Sequence, residues 1–397
     1  MSKVDEAVTT LNPVRVRTIT AGIELTPAFE LDRVEKAVGF LARARRAFEA
    51  AGYEVQTIRV ATNPVVASLS SAARAKALDS LRRIDELVGA QGAIFNVGPV
   101  LTEDRADDSL VEWSQELVRS TKTISFSTAI ASPESGLMPK VAATTARIMV
   151  ALARALPDGL ANFRFAAAAN IPAGTPFFPV AWHQGAESFA IGMESASVVE
   201  RAFASLREGE DPTEKLRIAL NDVLAPVEKL AAGIARTEHR DYLGIDTSPA
   251  PNKDRSIAAA IEALTGSPFG TGGTLEACSI ITAAVKSLAI RTCGYSGLML
   301  PVLEDPLLAQ RAGENRYGIR DVLLYSSVCG TGLDVVPIPG DTPAVSIAGL
   351  LRDVASLATR LRKPLSARLF LVPDKRAGDM ARFDDPVLTD SVVMKLD

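Results

Sequence analysis

Histidine is scarce in this chain, two among 397 residues, as are tryptophan with two and cysteine with three. Cys278, Cys293 and Cys329 form no C-x-x-C, which argues against a disulfide framework or a structural zinc site and suits a reducing compartment. No apolar run reaches the about 18 residues that a membrane span requires, and the charged residues from Met1 to Glu6 lack the apolar core of a signal peptide. The chain is therefore read as cytoplasmic. Walker A and G-x-G-x-x-G sequences are also missing, so neither P-loop phosphoryl transfer nor a Rossmann dinucleotide site is expected. The net charge is -4 with Lys and Arg dispersed, which disfavours nucleic acid and anionic membranes as partners. A small-molecule ligand is the expected partner, with the protein acting as a homo-oligomer. No cofactor can be named, and no metal is assigned.

What is present is an ordinary globular composition, 47% apolar and 23% charged, ample for a large core. Residues 14–20 alternate apolar and polar like a half-buried strand. Thr26-Pro27 then offers an N-cap and first helical position, with Leu31, Val34, Val38, Leu41 and Phe48 recurring at helical spacing until Gly52. Further strands are predicted at 54–61, 93–97, 123–128, 163–169, 189–193, 242–245, 298–303, 333–336, 367–372 and 387–394, with helices between most of them. Ser197 with Glu200 has capping-box spacing. Such alternation, without a linker or repeat, predicts one α/β domain over residues 1–397, a closed barrel.

Since imidazole titrates nearest neutrality, two histidines leave few places for neutral-pH acid/base work. His183 lies in Trp182-His183-Gln184-Gly185-Ala186-Glu187, where Glu187 would orient it and Asp246 would supply a second carboxylate. A metal held by His183 and Glu187 is the lesser reading, because Gly185 favours a turn over a helix. Polar residues also gather where predicted strands end, at Asn63, Asn96, Ser127, Asn170, Asp246 with Ser248, Glu304 with Asp305, and Asp334. In α/β folds such positions converge on one crevice. Asn170, Ser248 and Asp334 are therefore taken as ligand-binding. Gly272, Gly273 and Thr274, ahead of a helix, could hold an anion on backbone N–H groups. Cys329, in a glycine turn, is an optional nucleophile.

Four segments resemble the prokaryotic family called domain of unknown function 711, or uncharacterised protein family 0210. They are residues 15–23, the run into His183-Gln184-Gly185-Ala186-Glu187, residues 246–251, and Val328-Cys329-Gly330-Thr331-Gly332-Leu333-Asp334 followed by residues 338–343. The resemblance implies a single ten-stranded α/β barrel similar to pyruvate formate-lyase and other glycyl radical enzymes, and no established reaction. Radical chemistry needs a glycine in a C-terminal loop, and none follows Gly378, so no glycyl radical activity is expected. The function expected is acid/base catalysis on a small polar or anionic metabolite. The alternative is a binding or sensor protein that uses the same pocket without turnover.

Overall fold

The computed structural model describes residues 14–396. Its strands are β1 (Arg15–Ile23), β2 (Val55–Thr62), β3 (Ala93–Pro99), β4 (Ile124–Ser132), β5 (Gly136–Leu137), β6 (Phe165–Ala169), β7 (Ser188–Glu194), β8 (Asp241–Ala250), β9 (Gly332–Pro339) and β10 (Leu365–Val372). They form one ten-stranded sheet in the order β8-β7-β1-β2-β3-β4-β6-β10-β9, with β5 paired to β4. Five neighbours, β1, β2, β3, β4 and β6, run parallel. The parallel pair β7-β8 joins them antiparallel through β1, and the pair β10-β9 joins antiparallel through β6.

The helices are α1 (Leu31–Ala50), α2 (Ser71–Ala90), α3 (Ser109–Ser120), α4 (Pro139–Leu152), α5 (Ala196–Ala204), α6 (Pro212–Glu238), α7 (Ile257–Thr265), α8 (Thr274–Lys286), α9 (Pro306–Gly313), α10 (Ile319–Tyr325) and α11 (Ala344–Leu361). α1 buries Val34, Val38, Leu41 and Phe48, the stripe its spacing predicts, against β1 and β2. It begins at Leu31 instead of after Thr26, because Thr26 closes a turn with the Glu30 carboxylate at 2.6 Å. Nor does Ser197 cap α5; Ser195 occupies that position without a side-chain bond. Among the described residues no helix is long and apolar enough to cross a membrane.

Both faces of the sheet are covered, as continuous apolar strands require. Along β6, Phe165, Ala167 and Ala169 point into the core shared with the helices, and Ala166 and Ala168 point the other way. There they meet a second cluster built by Phe177, Val180, Tyr295 and Met299. The small alanines leave room on this inner face for two connecting segments, residues 171–187 and 291–302.

The predicted strand at 298–303 does not form; Leu298, Leu300 and Val302 instead join the core shared with the helices, and Met299 joins the inner-face cluster. Gly297 and Gly330 pack backbone on backbone there, with no space for a Cβ on either. This segment nevertheless meets both outer strands. Ile245 donates its N–H to the Arg291 carbonyl at 2.8 Å, and Val302 donates to that of Asp334 at 3.1 Å. The predicted strand at 387–394 shrinks to Ser391–Val392, paired with Met380–Ala381 apart from the main sheet.

Candidate functional site

On the inner face the sheet encloses a cavity of about 600 Å³. Ile94, Ser125 and Ala166, each the second residue of its strand, and Arg17, the third of β1, line it. It therefore opens where the five parallel strands begin. Arg59 from β2, Asp334 from β9, Ser366 and Arg368 from β10, and Glu304 complete its polar wall. Phe177 and Phe178 come from the 171–187 segment, whose Phe178-Pro179 peptide bond is cis, and Tyr295 and Met299 come from the other one.

The charged groups form a chain. Arg17 reaches Glu304 at 3.0 Å, Arg368 holds the other Glu304 oxygen at 2.7 Å, and Arg368 also grips Asp334 at 2.8 Å. Burial pushes the Asp334 carboxyl up, the Arg368 cation opposes this, and the Glu304 charge adds to it. Arg368 lies over Phe163 at 4.7 Å and Arg59 over Phe178 at 5.0 Å.

Arg59 differs from its neighbours. Only 8% exposed, it donates from Nε to the Thr57 hydroxyl at 3.1 Å, and among the described residues it has no ion-pair partner. Burial, with the Arg17 and Arg368 charges, pulls it down to about 9. A buried guanidinium in such a setting presents unfilled donors to whatever occupies the cavity.

His183 lies near the other end of the parallel strands, against Gly22 and Thr62, and is 2% exposed. Its Nε2 is 3.1 Å from the Gly185 carbonyl and its Nδ1 is 3.2 Å from the Ser188 hydroxyl. A carbonyl can only accept, so Nε2 carries the proton and Nδ1 accepts from Ser188. Burial lowers its pKa, against the raising effects of the Gly185 carbonyl and Glu24. Glu187 does not orient the ring; its carboxylate pairs with Arg240 at 2.6 Å.

A profile of the family described as Uncharacterised ACR (DUF711) matches residues 8–384. The chain belongs to this family. It is similar to a UPF0210 protein of Pyrobaculum aerophilum, 29% identical over 394 residues that cover 92% of this chain and 86% of that protein. A UPF0210 protein of Oenococcus oeni is 26% identical over 93% of this chain and 88% of its own length, and one of Methanopyrus kandleri 26% over 95% and 91%. The family name carries no reaction, so chemistry must come from the site.

Of the residues singled out in the sequence as catalytic or ligand-binding, Asp334 alone lines the large cavity. His183, Glu187 and Asp246 are not brought together in it. Asp246 is wholly buried and accepts N–H groups of Tyr295 at 2.8 Å and Ser296 at 3.0 Å. Ser248 donates its hydroxyl to Asp246 at 2.6 Å. Cys329 is packed in the core between sheet and helices. Asn170 sits at φ 54°, its side-chain oxygen buried without a partner among the described residues. At the α8 N-terminus, Gly272 and Gly273 are exposed, and the Thr274 hydroxyl already accepts the Gly270 N–H at 3.0 Å. Among the described residues no group of His, Cys, Asp and Glu could hold a metal ion.

Arg17, Arg59 and Arg368 went unremarked in the sequence. A signal existed in Leu365–Val372, where Arg368 is the one charged residue in a strand otherwise apolar except for Ser366, a position that unpaired charge rarely occupies.

Proposed function

We propose that this protein is an enzyme that binds a small anionic metabolite in the inner cavity and moves a proton at it, with Asp334 as the acid/base group. The observation that carries this reading is the buried Arg59 guanidinium without an ion-pair partner among the described residues. An anion seated there would supply the missing charge. Asp334 lines the same cavity, and its raised pKa moves a carboxyl toward the range useful for general acid/base work. Radical chemistry has no part in the reading, since Cys329 lies in the outer core.

The fold belongs to the same proposal. Contacts of residues 291–293 with β8 and of Pro301 and Val302 with β9 support a sheet closed into a barrel by this segment, similar to that of glycyl radical enzymes. Exposed Ile218, Leu324 and Val345 on three different helices would supply apolar surface for self-association.

A thermal-shift screen of anionic metabolites, followed by NMR of each stabilising compound with catalytic protein, tests the function. Turnover should fall about a hundredfold or more in Asp334→Asn while binding persists. Binding without turnover in the wild type would favour the sensor alternative, which the engagement of Glu304 and Asp334 by arginines supports.

A further inference from the structure

The cavity's charges and walls narrow the ligand class. Of the charged groups that line it, Arg17 and Arg368 pair with Glu304 and Asp334, the Asp385 carboxylate accepts the N–H groups of Val387 and Leu388, and Arg59 has no ion-pair partner among the described residues, which leaves its positive charge uncompensated. Arg164 also lines the cavity, but it donates to the carbonyls of Val118, Thr121 and Ile124 and so serves the end of α3. Arg119 and Lys122 lie exposed at the rim, where solvent screens them. At Arg59, then, a single negative charge completes the pairing.

The surroundings of that charge are aromatic. Phe178 lies beneath the Arg59 guanidinium at 5.0 Å, and Phe177, Tyr295, Met299 and Val180 extend the same wall. A head group on Arg59 would carry its body directly onto this surface. Bidentate geometry suits a planar carboxylate on the guanidinium fork.

We infer that the ligand is a monoanionic carboxylate bearing an apolar, preferably aromatic, body, its carboxylate on Arg59 and its body against Phe178, Phe177 and Met299. This deepens the anion-binding reading above and rests on it.

Calorimetric titration of the full chain with 3-phenylpropionate, propionate, 3-phenylpropan-1-ol and inorganic phosphate tests the class. 3-Phenylpropionate should bind about tenfold or more tighter than each of the other three. Arg59→Met should weaken it by about tenfold or more, and Arg59→Lys, which keeps the charge, should recover part of the loss. Melting curves of both variants establish that they are folded. Propionate or phosphate binding as tightly, in an Arg59-dependent manner, overturns the ligand class and leaves the anion cavity standing. Wild-type affinity in folded Arg59→Met, or no binding by any probe at millimolar concentration, overturns both.

Discussion

The Asp246 carboxylate accepts the backbone N–H of Tyr295 at 2.8 Å, so a residue outside the cavity fixes one of its walls. The hold extends along the segment: Ser296 donates to Asp246 at 3.0 Å, and Gly297 donates to the Ser248 hydroxyl, itself bonded to Asp246. From there the Tyr295 phenol reaches Ser366 at 2.7 Å. In either orientation of its amide, Asp246→Asn would turn an NH₂ toward a backbone N–H that can only donate. It should destabilise the fold by about 3 kcal/mol, read as a lower denaturation midpoint, and an unchanged midpoint would remove the anchoring role.

Asp107 should set part of the acid limb of stability. Burial pushes its carboxyl up, but the Ser109 hydroxyl and the Arg105 and Arg74 guanidiniums outweigh this and hold it below the ordinary carboxylate range. The folded state then binds fewer protons than the unfolded chain, so the contribution is present above about pH 4 and fades as pH falls through the depressed pKa. Asp107→Asn should cost about 3 kcal/mol near neutrality, because Arg74 is buried and loses its partner at 2.8 Å. The deficit should shrink toward pH 2. Parallel pH profiles for variant and wild type would contradict it.

The strands and helices were legible where one periodicity dominated. β2 and β3 agree with their predicted limits within two residues. Residues 298–303 misled because they are apolar for another reason: Leu298, Leu300 and Val302 are buried in the core shared with the helices and Met299 on the inner face, without forming a strand. Asp305-Pro306 read as a strand end, yet Asp305 caps both α9 and α7 through N–H groups of Leu307 and Ile257. Site residues were harder. Rarity drew notice to His183, whereas Arg17 looked like the polar side of a half-buried strand and in the structure lines the cavity.

His183 and Gly22 should be energetically coupled. A Cβ on Gly22 would sit 2.6 Å from the imidazole Cγ, and the ring is held at both nitrogens, so it cannot yield cheaply. Gly22→Ala should cost about 1–3 kcal/mol through overpacking. In a His183→Ala background the clash disappears, and a double-mutant cycle should return a coupling of about 1 kcal/mol or more. Additive effects would show that the backbone absorbs the methyl group elsewhere.

Arg59→Met should make the ligand-free protein more stable, the reverse of what most buried substitutions do. The wild-type cation is buried beside Arg17 and Arg368 and lacks an ion-pair partner among the described residues, whereas methionine would fill similar space beside Phe178 without charge. The Thr57 hydroxyl, which loses its guanidinium donor, keeps its own bond to the Arg17 carbonyl at 2.7 Å. A gain of about 2 kcal/mol is expected at pH 7. Its pH dependence has a fixed sign. Because the folded state holds the Arg59 proton less tightly than the unfolded chain does, with the pKa pulled down to about 9, the penalty is full below pH 9 and lessens above it. The advantage of Arg59→Met in urea denaturation should therefore be constant between pH 7 and about pH 9 and narrow by about pH 10.5. A variant less stable than wild type at pH 7 would mean that Arg59 supports the fold itself, and the case for an anion at that position would lose its basis.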